Sequence, residues 1–585
     1  MFKPFAPHMV DGYKLAHAGM YAEGTDFLYS NLTPRSNKHF KGSSLYDGKM
    51  VVFGALGAIQ EIVALWDETF FKVSKKKALA RFKRRVDGYL GADAIDFNRM
   101  AQLHDLGYLP LHIKTLDEGL RINMKVPILT ISNTLPEFFW LVNFLETMLS
   151  AMIWKGCTNA TIAYEYKRLA TDWAIRTGTP IETVQYQIHD FSMRGMPGLE
   201  SACRSSAAHL ACGVGTDTLG AVDYIEDYYG GGLDLDNYLI GCSIPATEHA
   251  VSSSNILKRA AIIKDRFGGL SEEEARFRGE VGFLLDYITK TVPTGLCAYV
   301  ADTYDYWAVL TDILTIEGVK ERIMARDGKL VIRPDSGDPV DVICGSAIYI
   351  DVPDDQCEME YAVEQYFRDN HKSFPADDGY ELTFLNNGGT YMTFQVSSYE
   401  DSSEDIGVYY EVHCAWYEDE TPELKGSIQL LWENFGGTVN EKGFKELDSH
   451  IGLIYGDSIT IQRAEEIFKR LTAKGFASGN VVFGVGSYTY QMNTRDTFGT
   501  AMKATATGFE GTLGVFEIYK DPATGDKLKK SAKGLLRVDR DESGDLVLKD
   551  QVSVREELGG ELKTRFLNGG MFNLDNIATI RERLA

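Results

Sequence analysis

Between residues 185 and 490, short apolar runs repeatedly stop at a polar cluster, and helical patterns fill the gaps. Gln185-Tyr186-Gln187-Ile188 ends in His189-Asp190-Phe191-Ser192-Met193-Arg194-Gly195, and Tyr238-Leu239-Ile240-Gly241 runs into Ser243. Leu296 to Val300 ends in Asp302-Thr303-Tyr304-Asp305, and Leu330-Val331-Ile332 in Arg333-Pro334-Asp335-Ser336-Gly337. Leu453-Ile454-Tyr455 ends in Gly456-Asp457-Ser458, and Val481-Val482-Phe483 in Gly484-Val485-Gly486-Ser487. Strand-then-helix order implies parallel strands joined by crossovers. Parallel sheets and barrels gather their ligand chemistry at the C-terminal strand ends, where these polar clusters lie. The expected fold is α/β, an irregular barrel with its active site on the rim.

The stretch Ser243-Ile244-Pro245-Ala246-Thr247-Glu248-His249 is the most pointed of these ends. Pro245 excludes a helix there and holds Ile244 extended. Thr247 then reads as a helix N-cap, with His249 in the first turn. Taken alone, His249 fits a histidine packed beneath a loop as well as a reactive one.

The rest of the chain bounds the function. At 585 residues it exceeds one ordinary core, so more than one domain is expected. A net charge of −23 argues against a broad nucleic-acid face while leaving room for a local phosphate pocket. Its eight cysteines form no Cys-x-x-Cys pair, which fits a reducing compartment. No signal-peptide core opens the chain, and the apolar stretch Phe138 to Trp154, broken by Asn143 and Glu146, reads as a buried helix and not as a membrane span. A cytoplasmic protein without membrane or nucleic-acid partners is expected.

Residues 1–155 read as an α+β domain. Asp11 to His17 is a short helix, Phe27 to Leu32 a strand followed by Arg35, residues 51–105 are mostly helical, and Leu111-His112-Ile113-Lys114 and Val126 to Ile131 are strands. Residues 158–178 read as a separate amphipathic helix. Residues 156–499 form the barrel, and 500–585 are expected to pack back on the N-terminal domain. Residues 344–426 interrupt the barrel with a strongly acidic segment of alternating strands and a hairpin signal, Asn386-Asn387-Gly388-Gly389, which reads as a β-rich insertion.

The rim residues suit a phosphorylated sugar. Arg194, Arg333 and Arg495 offer planar forks to phosphate oxygens. Asp302, Asp305 and Asp335 offer hard oxygen ligands for Mg²⁺. Ser336-Gly337 and Gly484 to Ser487 present backbone amides. A P-loop is absent, and Gly484-Val485-Gly486 lacks the third glycine of a dinucleotide loop.

Seven motifs stand in family order: His189-Asp190-Phe191 with Arg194-Gly195, Gly215-Thr216-Asp217-Thr218, Ser243 to His249, Asp302 to Asp305, Ile332 to Gly337, Gly456-Asp457 and Phe483 to Gly486. In them the chain resembles the type II phosphoribosyltransferases of the nicotinate/nicotinamide family, on the nicotinamide side. The resemblance runs from Asp11 to about Gly534, apart from the acidic insertion. It implies transfer of 5-phosphoribosyl from phosphoribosyl pyrophosphate (PRPP) to nicotinamide, with Mg²⁺, in a homodimer with shared active sites. By motif, Phe191 and the partner's Tyr13 would stack on the pyridine ring, and Asp217 would accept a bond from the carboxamide. Arg194, Arg333, His249 and Arg35 would lie by the pyrophosphate. Asp335, Gly456 and Asp457 would bind ribose, and Gly486, Ser487, Arg495 and Lys503 the 5′-phosphate. His249 stands where the family carries a histidine phosphorylated by ATP, with Glu248 a carboxylate to orient it. Ser487, Ala301 and Ala501 depart from the family's usual Gly, Ser and Ser. A nicotinate-specific enzyme and a non-catalytic pyridine-nucleotide binder are the alternatives; Asp217 opposes the first by repelling nicotinate.

Overall fold

The computed structural model describes residues 4–585 except 371–372, 376–377, 402–406, 457, 513 and 521–530, with backbone alone at 400, 401 and 414. The chain is an α/β protein that divides into two compact units. One comprises 1–165, 192–241 and 490–585; the other comprises 166–191 and 242–489. The expected uninterrupted barrel segment 156–499 is therefore cut, because residues 192–241 cluster with the chain ends.

The first unit is built on a seven-stranded sheet that draws on both ends of the chain. Thr25–Thr33 pairs antiparallel with Ala501–Phe509 on one side and Leu129–Asn133 on the other, and Leu111–Thr115 pairs with Lys563–Leu567. These non-local pairings join the N- and C-terminal parts into one α+β body. Its core includes Leu28, Leu32, Leu111, Ile113, Ile131, Phe498 and Phe566 beneath the Ala55–Trp66 helix. The side chain of Arg565 is 1% exposed and donates to Asp117 and Asp575 at 2.6 and 2.9 Å, which compensates a charge that would be costly to bury alone. Arg581 donates to the carbonyls of Leu210, Gly213, Leu239 and Ile240, and so fixes the 199–241 segment to the C-terminal helix.

The two helices read at 138–154 and 158–178 are one, Glu146–Thr177, preceded by Leu141–Phe144. Gly156 does not break it. A Cβ there would meet the Phe53 carbonyl at 2.8 Å, so the glycine permits close approach. Thr158 and Thr161 return their hydroxyls to carbonyls four residues earlier.

In the second unit, parallel strands run in the order Ile188–Asp190, Val481–Val485, Ile451–Tyr455, Leu330–Arg333, Cys297–Val300. Beyond the last lies the Pro245–Thr247 segment: Ala298 donates to the Pro245 carbonyl and Thr247 to the Ala298 carbonyl, at 2.9 and 3.1 Å. The sheet curls around an apolar interior of Ala298, Val331 and Ile454, with Phe191, Ile244 and Val482 packed against them. Helices cover the outside. Ile461–Ala473 buries Ile461, Ala464, Ile467, Phe468 and Leu471, and Phe468 meets Phe483 edge-on at 5.0 Å. Three local expectations are corrected, the first being the strand read at Tyr238 to Gly241, where the backbone forms none. Val184–Gln187 is a helical turn, so the strand starts only at Ile188. Thr247 is not the N-cap; it is buried, its hydroxyl accepts from the Val300 amide at 2.9 Å, and Glu248 holds the N-cap position of the His249–Phe267 helix without a side-chain cap bond.

The acidic segment is a small module with its own core. Gly379–Leu385, Tyr391–Asp401 and Gly407–Tyr417 form an antiparallel meander, and Ile348–Tyr349 adds a parallel edge. The hairpin falls at the Asn-Asn-Gly-Gly signal, where Gly389 takes φ +85° and the Asn386 side chain accepts from the Thr390 amide. The helix Gln356–Asp369, absent from the β-only reading, packs Met359, Val363 and Phe367 onto Phe384, Met392, Phe394 and Tyr410. Among the described residues, no helix is long and apolar enough to cross a membrane.

Candidate active site

In the second unit the C-terminal strand ends bring together Phe191, His249, Asp302, Arg333, Asp335 and Gly456. Phe191 leaves its strand with its amide bonded to the Val485 carbonyl at 2.9 Å. Its ring lies against His189, with centroids 4.5 Å apart, and Gly484 gives it room: a Cβ there would meet the ring at 2.8 Å and the Tyr455 carbonyl at 2.5 Å. The Arg333 guanidinium carbon lies 5.9 Å from the centre of that ring. Its side chain is 17% exposed, and its Nε is buried with no hydrogen-bond partner among the described residues. A partly buried cation with a buried, unspent Nε donor beside an aromatic face is arranged for an anionic ligand, since an unpaired buried donor is costly.

The loop after Arg333 is tied on three sides. Asp302 Oδ2 accepts from the Asp335 amide at 2.9 Å and from the Ser336 hydroxyl at 2.7 Å. The Gly456 amide donates to the Pro334 carbonyl at 3.2 Å, and the Tyr455 hydroxyl donates to the Ser336 and Gly337 carbonyls at 3.0 and 2.8 Å. Gly337 takes φ +91°, and Asp338 caps the Pro339–Cys344 helix. The Asp335 carboxylate is thereby held 3.8 Å from Arg333 Nη2 and close over Gly456. Asp457 lies outside the described residues.

His249 opens its helix with a half-exposed ring. Its Nδ1 is hydrogen-bonded to Thr303 Oγ1 at 3.1 Å, and its Nε2 lies 3.8 Å from Asp302 Oδ1. The carboxylate beside the imidazole is thus Asp302; Glu248, the expected orienting group, is the exposed N-cap. Asp302 Oδ1 is buried and accepts no hydrogen bond from the described residues. Asp305 accepts from the Ala308 amide at 3.0 Å through Oδ1 as a helix cap, and its side chain is otherwise exposed. Asp302, Asp305 and Asp335 do not make a three-carboxylate nest, and no group of three metal-ligating side chains occurs among the described residues. Asp302 and Asp335 alone suit Mg²⁺, which commonly takes one or two carboxylates and completes its shell with water and substrate phosphate oxygens. Gly486 follows the Val481–Val485 strand, and Ser487 opens the short Ser487–Gln491 helix.

The first unit holds the remaining candidates. Arg35 lies beside Gly499: its amide bonds the Phe498 carbonyl, and its Nε donates to the Gly499 carbonyl at 2.6 Å. Arg495 stands on the turn just before, fixed by a capping box between Thr494 and Thr497. Lys503 lies in the strand paired with Asn31. Burial lowers the Lys503 ammonium pKa, Glu146 raises it, and Arg35, Lys520 and Arg495 lower it further. Burial is the largest of these effects, and the three cations add to it. Tyr13 is 64% exposed, with its ring against His17 and Lys14. Arg194 and Asp217 are both exposed, and Thr218, next to Asp217, is the N-cap residue of the Leu219–Tyr229 helix.

The model of the nicotinate phosphoribosyltransferase (NAPRTase) family matches residues 186–379 and 404–568. The chain belongs to that family. A relative named nicotinamide phosphoribosyltransferase from Acinetobacter baylyi is 41% identical over 583 residues, 98% of this chain and 96% of its own length. Another of that name, from Mycoplasma pneumoniae, is 30% identical over 539 residues, 90% of this chain and 93% of its own. Among solved structures, human nicotinic acid phosphoribosyltransferase matches with a TM-score of 0.43 and 14% identity, covering 98% of this chain and 92% of that one. The family match runs through most of the acidic segment and omits 380–403, the hairpin of the meander. The segment expected to lack any counterpart is therefore shorter than 344–426. Two contributors were missed by sequence reasoning. Thr303 lies in the Asp302 to Asp305 motif with no signal of its own, and Tyr455 carries only the signal of a strand's last residue.

Proposed function

We propose that this protein is a nicotinamide phosphoribosyltransferase that transfers 5-phosphoribosyl from PRPP to nicotinamide, releasing pyrophosphate and supplying NAD salvage. One observation carries the reading: an aromatic face, a partly buried arginine with an unspent Nε donor and a carboxylate on a tied loop stand side by side at Phe191, Arg333 and Asp335. The 41% identical relative named for this activity supports nicotinamide as the base.

The nicotinamide ring nitrogen attacks ribose C1 while the bond from C1 to pyrophosphate oxygen breaks. Positive charge grows on the sugar and negative charge on the leaving group. Phe191 stacks on the pyridine, Arg333 neutralises the leaving pyrophosphate, and Asp335 binds ribose and favours the cationic carbon. When bound, Mg²⁺ neutralises pyrophosphate charge, and Asp302 and Asp335 would hold it. Asp217 reads the carboxamide, Arg194 and Arg35 bind pyrophosphate, and Gly486, Ser487, Arg495 and Lys503 bind the 5′-phosphate. In our reading Tyr13, Arg35, Arg495 and Lys503 reach the site of a second copy, which makes the homodimer the active form.

ATP stimulates turnover through His249. An imidazole nitrogen takes the γ-phosphoryl group, the bond to the β-phosphate oxygen breaks and ADP leaves; water later cleaves the P–N bond to release phosphate. A phosphoryl group at the first residue of a 19-residue helix gains from its free amides. The cysteines with described side chains are free thiols, which supports a cytoplasmic setting. Incubation of the purified protein with PRPP, Mg²⁺ and nicotinamide tests the reading: nicotinamide mononucleotide is expected, and its absence in active-site-titrated protein overturns it.

A further inference from the structure

We infer that Tyr455 is a positioning residue for the PRPP half of the site, acting through the loop that carries Asp335; this rests on the reading of Asp335 as a ribose ligand. Side chains alternate along the Ile451–Tyr455 strand. Ile454 points into the apolar interior, and Tyr455 turns the other way, 1% exposed, beneath the loop. Its hydroxyl shares its one proton between the carbonyls of Ser336, at 3.0 Å, and Gly337, at 2.8 Å. The next residue, Gly456, bonds the Pro334 carbonyl with its own amide. One strand end thus holds the loop at both flanks of Asp335, while Asp302 holds its amide from the neighbouring strand.

Asp335 has little else to fix it. Its side chain is 30% exposed, and its nearest cation, Arg333, is 3.8 Å away, beyond hydrogen-bonding range. Gly337 turns the chain in the left-handed region at φ +91°, and the Ser336 hydroxyl on Asp302 and the Asp338 cap restrain the loop beside these anchors. The carboxylate is therefore placed by backbone tethers, and the Tyr455 hydroxyl is a tether that can be deleted without changing the shape of the core. A loop free to shift by a few tenths of an ångström weakens the ribose contact and leaves the stacking of the base on Phe191 untouched.

Tyr455→Phe is compared with wild type in steady-state assays varying PRPP and nicotinamide separately, with the melting temperature measured alongside. Loss of one hydrogen bond of ordinary strength predicts KM for PRPP raised about three- to tenfold. KM for nicotinamide stays within twofold. A double-mutant cycle with Asp335→Asn gives the readout a purely structural role would not move: adding Tyr455→Phe to Asp335→Asn costs little more than Asp335→Asn alone. Unchanged KM for PRPP, equal rises for both substrates, or additive losses in the cycle would each overturn the inference. An inactive wild-type protein would instead overturn the phosphoribosyltransferase reading.

Discussion

Gly456→Ala probes the ribose site through a single carbon. A Cβ at 456 would lie 2.9 Å from Asp335 Oδ1, 3.4 Å from Arg333 Nε and 3.6 Å from Arg333 Cδ. Ordinary contact begins near 3.4 Å, so the carboxylate oxygen has to retreat by about 0.5 Å. The backbone cannot follow easily, because the Asp335 amide is bonded to Asp302 and the Pro334 carbonyl to the amide of residue 456 itself. The side chain rotates instead, away from both Arg333 and the ribose. A hydrogen bond to a charged group contributes about 1.5–3 kcal/mol, so kcat/KM for PRPP should fall by about 10- to 150-fold. The assay is initial-rate kinetics at saturating nicotinamide with PRPP varied, backed by a melting curve showing a folded protein. Wild-type kcat/KM for PRPP in a folded Gly456→Ala variant would refute the placement of Asp335 against the ribose.

Three other outcomes are expected. Asp217→Asn removes the charge that repels a pyridine carboxylate, so the preference for nicotinamide over nicotinate, measured as a ratio of kcat/KM values, should fall at least tenfold. His249→Ala should bring the ratio of rates with and without ATP to one, in the same assay run with and without the nucleotide. In the first unit, burial raises the Glu118 carboxyl to about 7 from an ordinary 4.5, and its Oε2 has no hydrogen-bond partner among the described residues. The folded state then holds this proton longer than the unfolded chain, so this group's contribution to stability falls as pH rises from about 4.5 to about 7. The span corresponds to roughly 3 kcal/mol. Denaturant titrations of Glu118→Gln across that window should show the slope flattened relative to wild type.

The parallel strands were legible because each is a short apolar run ended by polar residues, and burial inside a curled sheet demands that pattern. The hairpin at Asn386 was legible for a local reason too, since turn geometry selects Asn and Gly. What could not be read depends on distant partners. Thr247 looks like a cap in sequence, yet the Val300 amide claims its hydroxyl. Gln185 to Gln187 look extended, but the strand begins only where Ile188 meets Phe483. The Gln356–Asp369 helix was hidden by its acidic face, although Met359, Val363 and Phe367 recur at four-residue spacing. The division that gives residues 192–241 to the first unit follows from anchors such as Arg581, more than 300 residues away in sequence, which no local pattern records. Of the site, residue types and order were visible early. The contacts that position them, Thr303 on His249 and Tyr455 beneath the Asp335 loop, needed the fold.

The most direct measurement of the central claim is a competition. Purified protein is given PRPP, Mg²⁺ and equal nicotinamide and nicotinate, with and without ATP, and both mononucleotides are quantified. Nicotinamide mononucleotide is expected as the dominant product, formed faster with ATP. Nicotinate mononucleotide as the main product, or no mononucleotide at all, would contradict it.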